Sequence, residues 1–360
     1  MRPIGTSLTN NRGTSPVTIV AGLALLAALL LFPQLVKSPY ALHIMILLFL
    51  STIMGESWNI LGGYTGQYSV GHAAYFGVGA YTTMVLMQNH QVAPWYGVWA
   101  GVALVVVVAV AIGSICFRLR GPYFVLASIA VAEVMRLSAM NLKDLTNGAE
   151  GILAVEIPAF TLGGTVITDF LSKVPFYYIG LALAILTIVV TWLVQHSKLG
   201  YCFQAIREDQ DAAHSLGIHL SLYKNVALII SAIFTALAGS FYAIYVGFID
   251  PTTVLALDLS VQIVLICIIG GIGTIWGPVI GALVLVPLSE ALRSNLITQM
   301  LIKSGLVSGE SAIGIFLKEH LSHAHALIYG ILVVIVILFM PDGVLGFAKK
   351  LLAKRNRRTA

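Results

Sequence analysis

Charge is scarce in this chain. Only 10% of its 360 residues are Asp, Glu, Lys or Arg, against 58% that are hydrophobic, whereas a soluble domain carries roughly a quarter charged residues. That shortage excludes a water-soluble protein with a single core. Cysteine is scarce too. Cys116, Cys202 and Cys267 are isolated and odd in number, so they build no disulfide framework and offer no metal-ligand spacing. Nowhere does lysine follow glycine, so the phosphate loop Gly-x-x-x-x-Gly-Lys-Ser/Thr is missing and any nucleotide chemistry needs another polypeptide. The His-Glu-x-x-His and Gly-x-Ser-x-Gly patterns are absent as well, which removes the usual arguments for an intramembrane enzyme.

What the chain has is long apolar runs, with a mean hydropathy of +0.94. Ten stretches stand out, at 16–36, 40–61, 67–87, 95–117, 122–140, 176–195, 225–247, 260–271, 277–292 and 325–341. About 20 apolar residues cross roughly 30 Å of hydrocarbon as a helix. The pattern predicts an all-α, polytopic helical membrane protein with about 8–10 transmembrane segments. It does not fit an outer-membrane barrel, whose strands alternate polar and apolar residues. The first stretch is longer than a signal-peptide core and no small-residue cleavage site follows it, so it is read as a membrane helix. The eighth and ninth are short and flank Gly270-Gly271-Ile272-Gly273. Broken or re-entrant helices fit there, where protein or a water-filled cavity satisfies the backbone.

Alternating the segments puts thirteen basic residues on one side and six on the other, with Arg136 left inside a segment. The positive-inside rule then places both termini in the cytoplasm of a bacterial inner membrane. The predicted division is a cytoplasmic tail 1–15, a membrane domain 16–341 and a basic cytoplasmic tail 342–360. Loops 141–175 and 293–324 fall outside, in the periplasm, and loop 196–224 inside. The net charge of +5 therefore reports topology and contact with the lipid bilayer rather than nucleic-acid binding.

Loop 196–224 is the most informative connection. From Tyr201 to Leu216 it holds good helix formers and no proline, and Gly217 stands where a left-handed cap is expected. A helix outside the membrane is predicted, with Phe203, Ile206, Ala213 and Leu216 on one face and Arg207, Glu208, Asp209 and Asp211 crowding the rest. Two readings stand open. It is either a solvated connector resting on the membrane or a peg whose charges fix its register in a groove of another subunit.

The junction Gly62–Tyr81 is rich in glycine. Gly71 and Gly79 permit close helix contact, while Gly62, Gly63 and Gly66 permit a tight turn or unwound backbone. Gln67, Ser69 and His72, with Glu56 and Asn59 across the turn, are polar at membrane depth, where each needs a partner or water. They are candidates for a substrate path. For Glu56 the alternative is a buried hydrogen bond between helices. Glu133 can meet Arg136 three residues on, as Glu290 can meet Arg293, either as mutual neutralisation or as a contact for a zwitterionic substrate. Gly270–Ala282 repeats the glycine design and hints at an internal repeat of helix pairs.

Asp211-Ala212-Ala213, three residues, then Gly217 resembles the coupling loop of ABC-importer permeases, in which Glu usually stands at the position of Asp211. Together with Gly62–Tyr81, Leu119–Phe124, Glu133–Arg136, Leu145–Ile152 and Gly270–Ala282, this loop resembles the permease family of branched-chain amino-acid ABC importers, in particular its longer permease. The resemblance implies a transport subunit that is not itself an enzyme. Its expected partners are a homologous permease subunit, two ABC ATPase subunits and a periplasmic substrate-binding protein. It implies no cofactor on this chain, with ATP held by the ATPases, and it gives Arg207, Glu208, Asp209, Asp211, Ala212, Ala213 and Gly217 the coupling role. The substrate stays open, since the same architecture imports urea, amides and aromatic acids. The rival is an ion-coupled secondary transporter using Glu56 or Glu133, which leaves the cytoplasmic peg without a purpose.

Overall fold

Proline starts several of the helices. α2 (Pro39–Trp58), α4 (Pro94–Cys116), α5 (Pro122–Asn141) and α11 (Pro251–Val254) each carry it in the first turn, where a missing N–H costs nothing. In this computed structural model the described residues are 16–36, 38–154, 160–162, 165–168 and 172–293, with 330, 331, 334, 338 and 343–347. The predicted tail 1–15, the loop 293–324 after Arg293 and most of 325–360 lie outside them.

Further helices among the described residues are α1 (Pro16–Leu35), α3 (His72–His90), α6 (Lys143–Thr146), α7 (Lys173–Gln195), α8 (Lys198–Glu208), α9 (Gln210–Ser215), α10 (Leu220–Val246), α12 (Leu257–Gly270) and α13 (Trp276–Arg293), and 343–347 is helical too. A π-helical turn, Asn59–Tyr64, prolongs α2. Six of these stretches are long and apolar enough to cross a membrane, and two shorter apolar helices lie at Gly22–Leu35 and Trp276–Ala291. Strand is minor. β1 (Ile152–Leu153) pairs antiparallel with β4 (Phe248–Ile249), and β2 (Phe160–Leu162) pairs with β3 (Thr165–Thr168).

α10 is the central helix. In its apolar stretch 78% of residues are buried, as in α2, against 22% in α5, so α5 lies at the edge of the bundle. Small residues bring α10 against α3, as lipid-embedded helices require. A Cβ on Gly79 would stand 2.4 Å from the Ala236 carbonyl oxygen, and one on Gly239 2.0 Å from that of Phe76. Polar rungs on α10 complete this contact and one to α2. Ser231 Oγ lies 2.8 Å from His72 Nε2, Thr235 Oγ1 lies 2.9 Å from Ser57 Oγ, and Thr83 Oγ1 donates to Ser240 Oγ at 2.9 Å.

Contacts across the sequence sort the loops into two ends. Arg207 donates to the Gly63 carbonyl and Arg120 pairs with Asp211, so the first glycine turn, the α4–α5 loop and α8–α9 share one end. At the other end Ile152 pairs with Ile249, and Lys173 Nζ donates to the Pro39 carbonyl at 3.4 Å. There too Asp250 caps α11, accepting from Thr252 and Thr253. Burial pushes the Asp250 carboxyl up, but these hydrogen bonds outweigh it and hold the group below the usual carboxylate range.

Two expected boundaries move. α3 begins at His72 rather than at 67, because Gly66 takes a positive φ of 68° and turns the chain, leaving Gln67 and Ser69 in a loop. The helix expected from Tyr201 to Leu216 is two helices. Asp209 is extended, at φ −155° and ψ 117°, and its side chain accepts from the Asp211 and Ala212 amides at 2.8 and 3.0 Å. An aspartate in this N-cap role starts a new helix and ends the old one.

Candidate functional site

The α8–α9 pair is pinned by a short apolar face. Phe203, Ile206 and Ala213 are buried. Leu216, expected on the same face, is 81% exposed, because the break at Asp209 changes the helical phase. Gly217 has φ +84°. The Gly217 amide donates to the His214 carbonyl at 3.0 Å, and the Ile218 amide to the Ala213 carbonyl at 3.1 Å. These two bonds form a Schellman stop, so the end expected at Gly217 is present and sharply defined.

The residues expected to couple to an ATPase separate into two sets. Glu208, Asp209, Asp211 and Ala212 are exposed, and Asp211 forms a solvated pair with Arg120 at 2.9 Å. Arg207, predicted among the outward charges, turns inward instead: its Nη1 donates to the Gly63 carbonyl at 2.7 Å. Ala213 is buried against the bundle and offers no surface.

The six predicted path residues make separate contacts within this chain. Asn59 spans the two glycine turns, accepting from the Gly273 amide at 2.8 Å and donating to the Thr274 carbonyl at 3.0 Å. Gln67 donates to the Thr65 carbonyl and Ser69 Oγ accepts from the Gly71 amide. Ser69 also lines a small cleft with Tyr75, Cys116, Phe124 and Ser128, which none of the other five reaches. His72 is spent on Ser231. Glu133 and Arg136 form a bidentate pair at 2.5 and 2.9 Å, with 44% of the Glu133 side chain exposed on α5.

Glu56 differs from the rest. It is wholly buried and neither carboxyl oxygen has a hydrogen-bond partner, an expensive arrangement at membrane depth. Thr191, Tyr64 and Cys267 lie close enough to act on it electrostatically. The Thr191 and Tyr64 hydroxyls are themselves unpartnered, so Thr191 is near yet outside good hydrogen-bond geometry. Cys267 donates to the Gly55 carbonyl at 3.1 Å. These three neighbours were not singled out from the sequence. Tyr64 sits in the glycine-rich run and was open to notice, but Thr191 and Cys267 come from distant helices and carry no local signal. Lys224, counted in the sequence only as one of the thirteen basic residues on the cytoplasmic side, donates through Nζ to Gln210 Oε1 at 2.8 Å while the residue is only 2% exposed.

The family described as branched-chain amino acid transport system, permease component, matches residues 40–340. The high-affinity branched-chain amino acid transport system permease protein LivM of Salmonella typhimurium is 29% identical over 71% of this chain and 64% of its own length. The chain thus spans less than two thirds of that relative. The corresponding LivH of Escherichia coli is 25% identical over 82% of this chain and 90% of its own. The autoinducer 2 import system permease protein LsrC of Photorhabdus laumondii is 28% identical over 32% of this chain and 35% of its own. No solved structure matches. The family match covers most of the sequence, and on that ground this chain belongs to the branched-chain amino acid transport system permease family.

Proposed function

We propose that this chain is the permease subunit of an ABC importer for branched-chain amino acids, in the role LivM is named for. It forms half of a translocation path with a homologous permease and couples that path to two separate ATPase subunits and a periplasmic substrate-binding protein. It performs no catalysis, and ATP is bound by the ATPases. The chain sits in the bacterial inner membrane with both termini and loop 196–224 in the cytoplasm.

The observation that carries this reading is the α8–α9 pair. A connector between α7 and α10 needs no capped break at Asp209, no Schellman stop at Gly217, and no exposed acidic row ending in a bare Leu216. A peg in a groove needs all three, for direction, length and register. Support for a second permease comes from α5. Its outward face carries Ser138 and Asn141 beside Val134 and Leu137, with the Glu133 side chain 44% exposed on the same helix, and charged groups at membrane depth face protein or water rather than lipid. The match to an autoinducer 2 permease in part of the chain is a reminder that substrate choice does not follow from architecture.

Purification of the complex from its native membrane, followed by reconstitution, tests the reading. Two ATPase subunits and a second permease should co-purify, and proteoliposomes supplied with the substrate-binding protein should import leucine on ATP addition. A chain that purifies alone and transports without ATP would sink the proposal.

A further inference from the structure

We infer that Arg207 is a positioning residue, an internal strut that ties the α8–α9 pair to both glycine turns and carries its movement into α2, α12 and α13. The inference rests on the ABC-permease reading above and adds to it the route by which motion enters the membrane. Among the charged residues of α8 and α9, and Asp209 between them, Arg207 alone is not exposed. A long side chain at a helix end ordinarily sends its head to water. Here the head goes the other way.

Arg207 Nη1 donates to the Gly63 carbonyl at 2.7 Å, in the last turn of the π-helix, where carbonyls lack partners within the helix. The same nitrogen covers the second turn, since a Cβ on Gly273 would stand 2.4 Å from it. The stem lies along Gly66, where a Cβ would come 3.3 Å from Arg207 Cγ. Gly66 and Gly273 have φ of +68° and +73°, so both turns favour glycine, and the guanidinium occupies the room that side chains would fill. Asn59 then locks one turn to the other through Gly273 and Thr274.

Phe203 and Ile206, 0% and 1% exposed, anchor α8 on the side from which Arg207 projects. A tilt of α8 therefore moves the guanidinium, and the guanidinium is bonded to the end of α2. One planar group with five donors suits this place better than a single ammonium. The exposed Arg120–Asp211 pair, with side chains 61% and 78% exposed, is solvated and contributes little rigidity.

The test uses the purified complex with its ATPase subunits and follows deuterium uptake with and without ATP, in wild type and in Arg207→Ala. In wild type, ATP should change exchange in α8–α9 and in the turns at 59–66 and 271–276. In Arg207→Ala the ATPases should still co-purify and α8–α9 should still respond, while the response of the turns falls about tenfold. Arg207→Lys, which keeps one charge and can reach the Gly63 carbonyl, should restore part of the response and carries the test if the alanine variant does not fold. An undiminished response of the turns, or loss of ATPase association, would overturn the strut: the first makes Arg207 dispensable and the second makes it an interface residue. No response of α8–α9 in wild type would instead overturn the ABC-permease reading, and the strut with it.

Discussion

Two glycine pairs that look alike in sequence solve different problems. Gly62-Gly63 sits inside a π-helical turn where neither glycine takes a positive φ, and the nearest crowding at both comes from side chains. A Cβ on Gly62 would lie 2.4 Å from the Trp58 ring, and one on Gly63 1.9 Å from Asn59 Oδ1. Gly270-Gly271 ends α12 and reverses the chain into α13. There the crowding comes from backbone, with a Cβ on Gly270 1.7 Å from the Gly277 carbonyl oxygen, and Gly271 has φ +126°. The first turn continues a helix around bulky neighbours, whereas the second folds a helix back on itself. A repeated motif therefore does not imply a repeated physical cause.

Substitutions separate the two causes. Gly270→Ala should have the largest effect, about 3 kcal/mol or more, because two backbones must part. Thermal unfolding in detergent would read this as a steep loss of folded protein, and no neighbouring truncation should rescue it. Gly62→Ala should cost less, about 2 kcal/mol, and here rescue is expected. In a Trp58→Phe background the added cost should shrink by about 1 kcal/mol, and strict additivity would mean that the ring is not the obstacle. Gly217→Val tests a third use of glycine, a left-handed helix end in open space. With nothing within 4 Å of the added Cβ, only backbone strain of about 1–2 kcal/mol acts. The protein should fold while ATPase co-purification and substrate-stimulated hydrolysis fall. Asp211→Asn should be the mildest in stability, below about 0.5 kcal/mol for so exposed a pair, and a larger shift in unfolding would show that the Arg120 bridge is structural.

Much of the fold was legible because lipid imposes a simple code. The apolar runs locate the helices, and the small residues Gly71 and Gly79 mark close contacts, with Gly79 against Ala236 and Gly71 against Ser128. Glu133 meets Arg136 at helical spacing, and Gly217 ends α9 where a cap was expected. What failed was direction and interruption. Asp209 is a good N-cap type, yet in a run of helix formers nothing forces a break until the buried face of α8 is fixed elsewhere. Arg207 reads as an outward charge because its partner, the Gly63 carbonyl, lies 144 residues away in sequence. The polar set around the first glycine turn, expected to need partners or water, is buried. Its members nevertheless divide between separate hydrogen bonds, which single-sequence spacing does not encode.

The central claim is that α8–α9 is the face on which the ATPases act. A photoreactive amino acid at Leu216, 81% exposed beyond the last turn of α9, probes that face with little risk to the fold. Irradiation of native membranes should yield a cross-linked product containing an ATPase subunit, at a yield that changes when ATP is bound. Products containing only lipid, with no ATPase in either nucleotide state, would contradict the claim and leave α8–α9 as a connector resting on the membrane.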